Sequence, residues 1–163
     1  MSSDSLTALA ARVGATLQAK GLMLATAESC TGGWVAQAIT AIAGSSGWFE
    51  RGFVTYSDVA KMEMLGVSAG TLASHGAVSE QTAREMSTGA LAHSRAQLAV
   101  AITGIAGPGG GSPEKPVGTV CFAWARRDGA TRAQTRRFEG DRESVRRRSV
   151  VAALEGVLEL LES

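Results

Sequence analysis

The spacing of apolar residues divides the chain into alternating helices and strands. Leu6, Leu9, Val13 and Leu17 recur every three or four residues, which predicts an amphipathic first helix. Apolar and β-branched runs starting near residues 22, 49, 97, 117 and 131 predict strands. Helical spacing returns in the segment that Asp141 opens, which predicts a final helix.

The predicted order of elements indicates the fold class. It is helix, strand, helix, strand, several helices, three strands and a last helix, and Asp128-Gly129 predicts a hairpin turn between the last two strands. This order is typical of a three-layer α/β/α domain with a mixed sheet. We find no repeat and no interdomain linker, so we expect residues 1–163 to form a single domain.

Composition narrows the possible functions. The chain has 163 residues and a net charge of +1, so the whole molecule has no strong attraction to nucleic acid or to an anionic membrane. No apolar run approaches a membrane span and no secretory signal is evident, so we expect a cytoplasmic protein. Two cysteines and two histidines without ligand-like spacing predict no metal site, and we expect no cofactor.

The segment between residues 28 and 33 joins a predicted strand to a predicted helix. Such a turn directs backbone N–H groups and the positive end of a helix dipole towards one point, which suits a phosphate or a developing oxyanion. It also carries two candidate nucleophiles; the alternative is that its hydroxyl groups only cap the helix. We assign the whole segment to the candidate site: Glu28, Ser29, Cys30, Thr31, Gly32 and Gly33.

Lys61 occupies an unusual position for a lysine. If Ser57 or Asp58 caps the next helix, Lys61 falls in its first turn, where the helix dipole disfavours a cation. The dipole and burial would both favour the neutral amine, which can act as a general base towards a serine hydroxyl. The alternative is a solvated surface lysine, the commonest fate of this residue type.

A glycine-rich loop follows the strand predicted over residues 97–103. Glycines allow the backbone to approach a ligand closely, so we assign Thr103, Gly104 and Gly107 to substrate binding. The loop lacks the Gly-Lys-Ser/Thr ending of a phosphate-binding P-loop and the spacing of a dinucleotide fingerprint. A flexible surface loop is the alternative.

Arginines are frequent after residue 125. Most are expected on solvated faces, but one or two could hold a phosphate through paired hydrogen bonds, and we prefer Arg142 for that role. Nucleic-acid binding is a weaker alternative, because Phe138 is the only aromatic residue between Arg126 and Arg148.

Taken together, the motifs resemble the C-terminal domain of the CinA family, and most closely its stand-alone members, the nicotinamide-nucleotide amidohydrolases. The resemblance covers residues 6–158 with no departure at the motif positions. It rests on the segments 26–33, 44–46, 53–57 with Lys61, 75–79, 103–111 and 116–119.

This resemblance implies hydrolysis of nicotinamide mononucleotide to nicotinate mononucleotide and ammonia, in pyridine-nucleotide recycling. It implies a serine–lysine amidase without metal, with Ser29 as nucleophile and Lys61 as base, and it implies a homo-oligomer. Tyr56, Ser46 and Thr103 would line or support the site, with Tyr56 placed among the catalytic residues. The expected partner is the small-molecule substrate, not nucleic acid or a membrane.

Three alternatives stay open at this stage. Cys30 could replace Ser29 as the nucleophile. The domain could be a nucleotide-binding or regulatory module without catalysis. The arginine-rich tail could bind DNA or RNA, which would make binding strongly dependent on salt.

Overall fold

A computed structural model describes residues 3–162, and its elements follow the predicted order closely. The five strands are β1 (Leu24–Glu28), β2 (Phe49–Val54), β3 (Leu98–Gly104), β4 (Thr119–Arg126) and β5 (Thr131–Arg137). The helices are α1 (Ser3–Lys20), α2 (Trp34–Thr40), α3 (Asp58–Leu65), α4 (Ala69–His75), α5 (Glu80–Ala92) and α6 (Arg142–Glu162), with a short 3-10 turn at Ser45–Gly47. Within the described residues, every helix is too short or too polar to cross a bilayer.

The strands form one mixed sheet in the order β2-β1-β3-β4-β5. The first three are parallel, whereas β4 and β5 are antiparallel to their neighbours. Helices cover both faces, so the predicted three-layer α/β/α architecture with a mixed sheet is confirmed.

The alternation of side chains gives the two faces of the sheet different cores. One face, here called the large-residue face, packs against α1, α2 and α6; its members are Leu24, Leu98, Val100, Ile102, Val120, Phe122 and Trp124. The other, the small-residue face, packs against α5; its members are Ala25, Ala27, Ala99, Ala101, Cys121, Ala123 and Ala125. Small side chains allow a helix to lie close to the sheet.

Glycine extends this close packing from α5 to α3. A Cβ atom at Gly89 of α5 would stand only 1.9 Å from the carbonyl oxygen of Leu65 in α3. The two helices therefore approach each other to a distance that only glycine permits, and α3 is held against α5 at this point.

The connections of the sheet switch from one face to the other between the paired strands β1 and β3. The chain leaves β1 through α2 on the large-residue face, and it returns to β3 through α5 on the small-residue face. At the ends of the strands, Glu28 lies opposite Val54 on one side and Ile102 on the other. Ligands of open α/β sheets bind at such a switch in connection, beyond the carboxyl ends of the strands.

Candidate active site

Ser29 follows β1 directly, at the carboxyl edge of the parallel strands. Its backbone N–H donates to the carbonyl of Ile102 at 2.9 Å, which continues the ladder between β1 and β3 by one residue. The side chain is 9% exposed, so its hydroxyl is largely removed from water but still reaches the adjoining cleft.

Lys61 lies in the first turns of α3, as the sequence predicts. Ser57 is the N-cap, with its hydroxyl accepting the N–H of Ala60 at 3.1 Å. Lys61 is 2% exposed, and its Nζ lies 3.1 Å from Ser29 Oγ and 2.9 Å from the carbonyl oxygen of Thr55. The structure thus brings together the two side chains that the sequence singled out, 32 positions apart.

Burial lowers the pKa of the Lys61 ammonium, and the nearby charge of Asp58 partly opposes this shift. The neutral amine can donate one N–H to the Thr55 carbonyl and keep its lone pair for the Ser29 hydroxyl proton. The arrangement fits general-base activation of a serine.

Cys30 is chemically different from its neighbour Ser29. Burial, followed by the charge of Glu28, raises the pKa of the Cys30 thiol to about 12. The nucleophilic form of cysteine is the thiolate, so a thiol with such a pKa is a poor nucleophile at neutral pH. The alternative with Cys30 as nucleophile is therefore disfavoured.

A cleft of about 320 Å³ opens beside the Ser29–Lys61 pair. Of the predicted site residues, the structure places these on its wall: Ser29, Cys30, Tyr56, Lys61, Thr103, Gly104, Gly107 and Arg142. Five further lining residues belong to the glycine-rich loop that the sequence analysis named as a whole: Ile105, Ala106, Gly109, Gly110 and Gly111. Asp58, Ala77 and Val78 also line the cleft and were not assigned to it from the sequence. Ala77 and Val78 fall within the family motif over residues 75–79, which is the signal that could have identified them.

Tyr56 and Arg142 form the outer rim of this cleft. Arg142 donates to the Tyr56 hydroxyl at 2.9 Å and to the carbonyl of Gly107 at 2.7 Å. Tyr56 is 60% exposed, so this pair links the β2 end, the glycine-rich loop and the start of α6 at the solvent side. Thr103 lies deeper, where its hydroxyl donates to the carbonyl of Ala77 at 2.8 Å.

Four residues of the 28–33 segment build the turn and do not line the cleft. Glu28 is fully buried; its carboxylate accepts from the Thr31 hydroxyl at 2.6 Å and from the first N–H groups of α2, at Val35 and Ala36. Gly32 and Gly33 have φ of 60° and 103°, in the left-handed region. The fold uses all four residues to shape the turn, and their predicted part in substrate binding stays a prediction.

Ser46 lies away from this cleft, so its predicted supporting role stays a prediction. It lies in the 3-10 turn that precedes β2, and the first residue of β2, Phe49, pairs with Leu24 at the start of β1. That position is at the amino edge of the parallel strands, whereas the cleft lies at their carboxyl edge. Ser46 is therefore absent from the cleft wall.

The arginine-rich tail does not form a free basic surface. Most of its guanidinium groups already contact acidic side chains, backbone carbonyls or aromatic rings of the described chain. Only Arg142 among them lines the cleft, while Arg146 contacts the back of the Ser29 turn. Nothing in this distribution favours the nucleic-acid alternative.

A second cavity, of about 400 Å³, lies between the start of α5 and strands β4 and β5. Acidic and basic side chains both line it, including Glu80, Lys115 and Arg137, but it contains neither Ser29 nor Lys61. Size alone does not make it the reaction site, because Ser29 and Lys61 both lie on the wall of the smaller cleft.

Comparison with known proteins identifies the family of the chain. Residues 6–161 match the model of the CinA C-terminal domain. The chain is 58% identical to the nicotinamide-nucleotide amidohydrolase PncC of Escherichia coli, over 95% of this chain and 94% of that protein. The identity to the Pseudomonas putida protein of the same name is 51%, over 96% and 98% of the two chains.

A solved structure gives the same result for the fold. The crystal structure of the competence/damage inducible protein CihA from Agrobacterium tumefaciens superposes with a TM-score of 0.94 at 51% identity, covering 97% of this chain and 96% of that one. The chain belongs to the CinA C-terminal domain family.

Proposed function

We propose that this protein hydrolyses the carboxamide of nicotinamide mononucleotide, giving nicotinate mononucleotide and ammonia. The observation that carries the proposal is the buried Ser29–Lys61 pair, 3.1 Å apart, at the wall of a cleft. Relatives more than 50% identical over nearly their whole length are named nicotinamide-nucleotide amidohydrolases, which supports the choice of substrate. A role in pyridine-nucleotide recycling is part of the same proposal.

The first half of the reaction forms an acyl-enzyme. Neutral Lys61 accepts the Ser29 proton while Oγ attacks the carboxamide carbon, and the carbonyl π electrons move to the oxygen. Collapse of this tetrahedral intermediate breaks the C–N bond, and Lys61 returns the proton to the leaving nitrogen, which departs as ammonia. The product at this stage is an ester between Ser29 and the nicotinate carbonyl.

The second half hydrolyses that ester. Lys61, neutral again, accepts a proton from water while the hydroxyl oxygen attacks the ester carbon. Collapse breaks the bond to Ser29 Oγ, which recovers its proton from Lys61. The carboxylic acid product loses its proton to solvent and leaves as nicotinate mononucleotide. The same two groups therefore serve both halves without a metal in the scheme.

The oxyanion of each tetrahedral intermediate needs N–H donors near Ser29. The N–H of Ser29 donates to the carbonyl of Ile102, and the N–H of Gly32 donates to the carbonyl of Ser29. Among the described residues, no protein oxygen accepts the N–H of Cys30 or Thr31. We assign the oxyanion role first to Cys30, the residue after the nucleophile, which also lines the cleft.

At the outer end of the cleft, the glycine-rich loop and Arg142 face solvent together with Tyr56. We assign the substrate phosphate to this rim, since a guanidinium binds phosphate oxygens well and an exposed rim keeps the charged end of the nucleotide hydrated. Binding there would require Arg142 to exchange its bond to Tyr56 or Gly107 for the phosphate.

A homo-oligomer is part of the proposal. Strand β2 is an edge of the sheet, and exposed apolar side chains lie from its last residue into α3: Val54, Tyr56, Val59, Met62 and Met64. Such a combination of free edge and apolar surface favours association between chains. Light scattering coupled to size-exclusion chromatography tests it, and a monomer at micromolar concentration would contradict it.

The test of the activity is ammonia release from nicotinamide mononucleotide by the purified protein with chelator present. We expect turnover by the unaltered chain and by Cys30→Ala, and none above background by Ser29→Ala. Turnover by Ser29→Ala together with an inactive Cys30→Ala would transfer the nucleophile role to Cys30. Calorimetric binding of the nucleotide by the unaltered chain without ammonia release would support a non-catalytic module instead.

A further inference from the structure

Arg146 reaches the turn that carries Ser29 from the side opposite the cleft. It belongs to α6, and its Nε and Nη2 donate to the carbonyl oxygens of Cys30 and Thr31 at 3.1 and 3.2 Å. The guanidinium carbon lies 5.5 Å from the centre of the Trp34 ring, which adds a cation–π contact. One side chain thus holds two consecutive carbonyl groups just after the nucleophile.

These two bonds fix the orientation of the peptide groups after Ser29. In a trans peptide the carbonyl and the following N–H point in opposite directions. Because Arg146 draws the Cys30 carbonyl towards α6, the Thr31 N–H of that peptide points away from α6. A cation on the carbonyl also increases the polarity of the peptide, which makes its N–H a stronger donor.

Glu28 supplies the complementary restraint. Its buried carboxylate accepts the Thr31 hydroxyl and two N–H groups of α2, while Arg146 binds the carbonyls. Glu28 therefore ties the Thr31 side chain to the start of α2, while Arg146 holds the backbone carbonyls of the same turn. Gly32 leaves the required room, since a Cβ there would stand 3.3 Å from Arg146 Nη2.

We infer that Arg146 is a positioning residue for the reaction, which holds the backbone just after Ser29 in place for attack without touching substrate. This inference rests on the proposed amidohydrolase function. Helix α6 gives Arg146 a rigid support, because Val145, Val150 and Leu154 are buried in the core. The fork of the guanidinium matters, since the ammonium of lysine cannot reproduce two parallel bonds of fixed geometry.

Arg147 provides a matched control on the same helix. Its guanidinium carbon lies 5.2 Å from the centre of the same Trp34 ring, and it pairs with Glu143 at 3.6 Å. Within residues 3–162 it donates no hydrogen bond to the Ser29 turn. Removing Arg147 therefore costs a comparable surface charge and ring contact but leaves the two carbonyl bonds in place.

The experiment compares kcat and KM for nicotinamide mononucleotide in Arg146→Ala, Arg146→Lys and Arg147→Ala, with circular dichroism and Tm for each. We expect Arg146→Ala to lower kcat about 10- to 100-fold, the scale of a small misplacement of reacting groups, and to change KM less than about threefold. Arg146→Lys should fall between the unaltered chain and Arg146→Ala. Arg147→Ala should keep kcat within about twofold.

A kcat for Arg146→Ala equal to that of Arg147→Ala would overturn the inference, as would a defect confined to KM. Should Arg146→Ala fail to fold, Arg146→Lys decides: a lowered kcat at unchanged KM supports the inference, and an unchanged kcat overturns it. The unaltered chain is assayed alongside, so absence of any ammonia release there identifies failure of the proposed function separately.

Discussion

The two faces of the sheet serve different purposes. The large-residue face buries Phe122 and Trp124 with the aliphatic side chains around them, which is where most apolar area leaves water. The small-residue face is built largely from alanine, which buries less area per residue but allows α5 to lie close to the sheet. The large-residue face mainly contributes stability, and the small-residue face mainly allows close packing of α5 on the sheet.

The candidate catalytic residues lie on the small-residue face of the sheet. Ser29 and Thr103 continue the alternation of Ala27 and Ala101, and Lys61 is on α3, which packs on α5. Larger side chains on this face would push α5 outwards, and α3 with it, so Lys61 would lose contact with Ser29. The comparison teaches that a small-residue core can be a requirement of the site and not a weakness of the fold.

The largest expected effect comes from Lys61→Met on the small-residue side. Removing the base should lower kcat/KM by about 10²–10⁴-fold or more. Stability should change in the opposite direction, because the substitution removes a buried amine whose charged form burial disfavours. Ammonia release and thermal unfolding measure the two effects, and a lower Tm at neutral pH would contradict the second.

The pH dependence of that stability gain follows from the lowered pKa of Lys61. Between the folded pKa and the ordinary lysine value of 10.5, the unfolded chain binds more protons than the folded chain. The loss of folding stability caused by burying the Lys61 ammonium is therefore complete below the folded pKa. It vanishes as pH rises through the pKa of the unfolded chain. The Tm difference between Lys61→Met and the unaltered chain should shrink as pH approaches 10.5.

Trp124→Ala tests the large-residue face. The ring stacks on Phe122 at a centroid distance of 5.6 Å, and its Nε1 donates to the Ala153 carbonyl at 3.0 Å. We expect a loss of about 3–5 kcal/mol in the free energy of unfolding, measured in urea. The kcat of the molecules that remain folded should stay near that of the unaltered chain. A loss of kcat without a loss of stability would contradict the claim that the large-residue face contributes mainly to stability.

Gly89→Ala tests the close packing on the small-residue side, because it adds one methyl group where α5 contacts α3. With 1.9 Å between the new Cβ and the Leu65 carbonyl oxygen, the helices must separate. We expect a loss of about 1–3 kcal/mol and a fall in kcat, because Lys61 moves with α3. Gly70→Ala in α4 is the control: its nearest atom would be 3.8 Å away, and helix propensity should make it neutral or slightly stabilising.

Asp58→Asn should produce the smallest change. The charge of Asp58 raises the pKa of Lys61 against the effect of burial, so its removal should lower that pKa. If neutral Lys61 is the base, the rising limb of kcat/KM against pH should move to lower pH. Glu63→Gln on the same helix is the control and should leave the limb in place; a shift in the opposite direction would contradict Lys61 as the base.

Much of this was predictable from local patterns. The apolar periodicity located every strand and helix to within a few residues, and the order of elements indicated the layers. Ser29 and Lys61 were recognisable because each stands at an unusual place in a local element. Their contact could not be derived from the pattern alone, since it depends on the packing of α3 against α5.

Some features of the site depend on tertiary contacts that local patterns do not show. The strand-to-helix turn over residues 28–33 was recognisable, but not that the side chains of Glu28 and Thr31 are buried and hydrogen bonded to each other. Ser46 was placed by motif alone, without knowledge of which edge of the sheet it occupies. Arg146 was overlooked because its bonds to Cys30 and Thr31 join residues more than 110 positions apart.

The central claim is that Ser29 and Lys61 act as one proton-transfer unit, and a double-mutant cycle in kcat/KM tests it most directly. Groups that act as a unit give strongly non-additive losses, so Ser29→Ala, Lys61→Met and the double variant should be slowed to a similar extent. Losses that multiply in the double variant would mean that the two residues contribute independently, and the account would be contradicted.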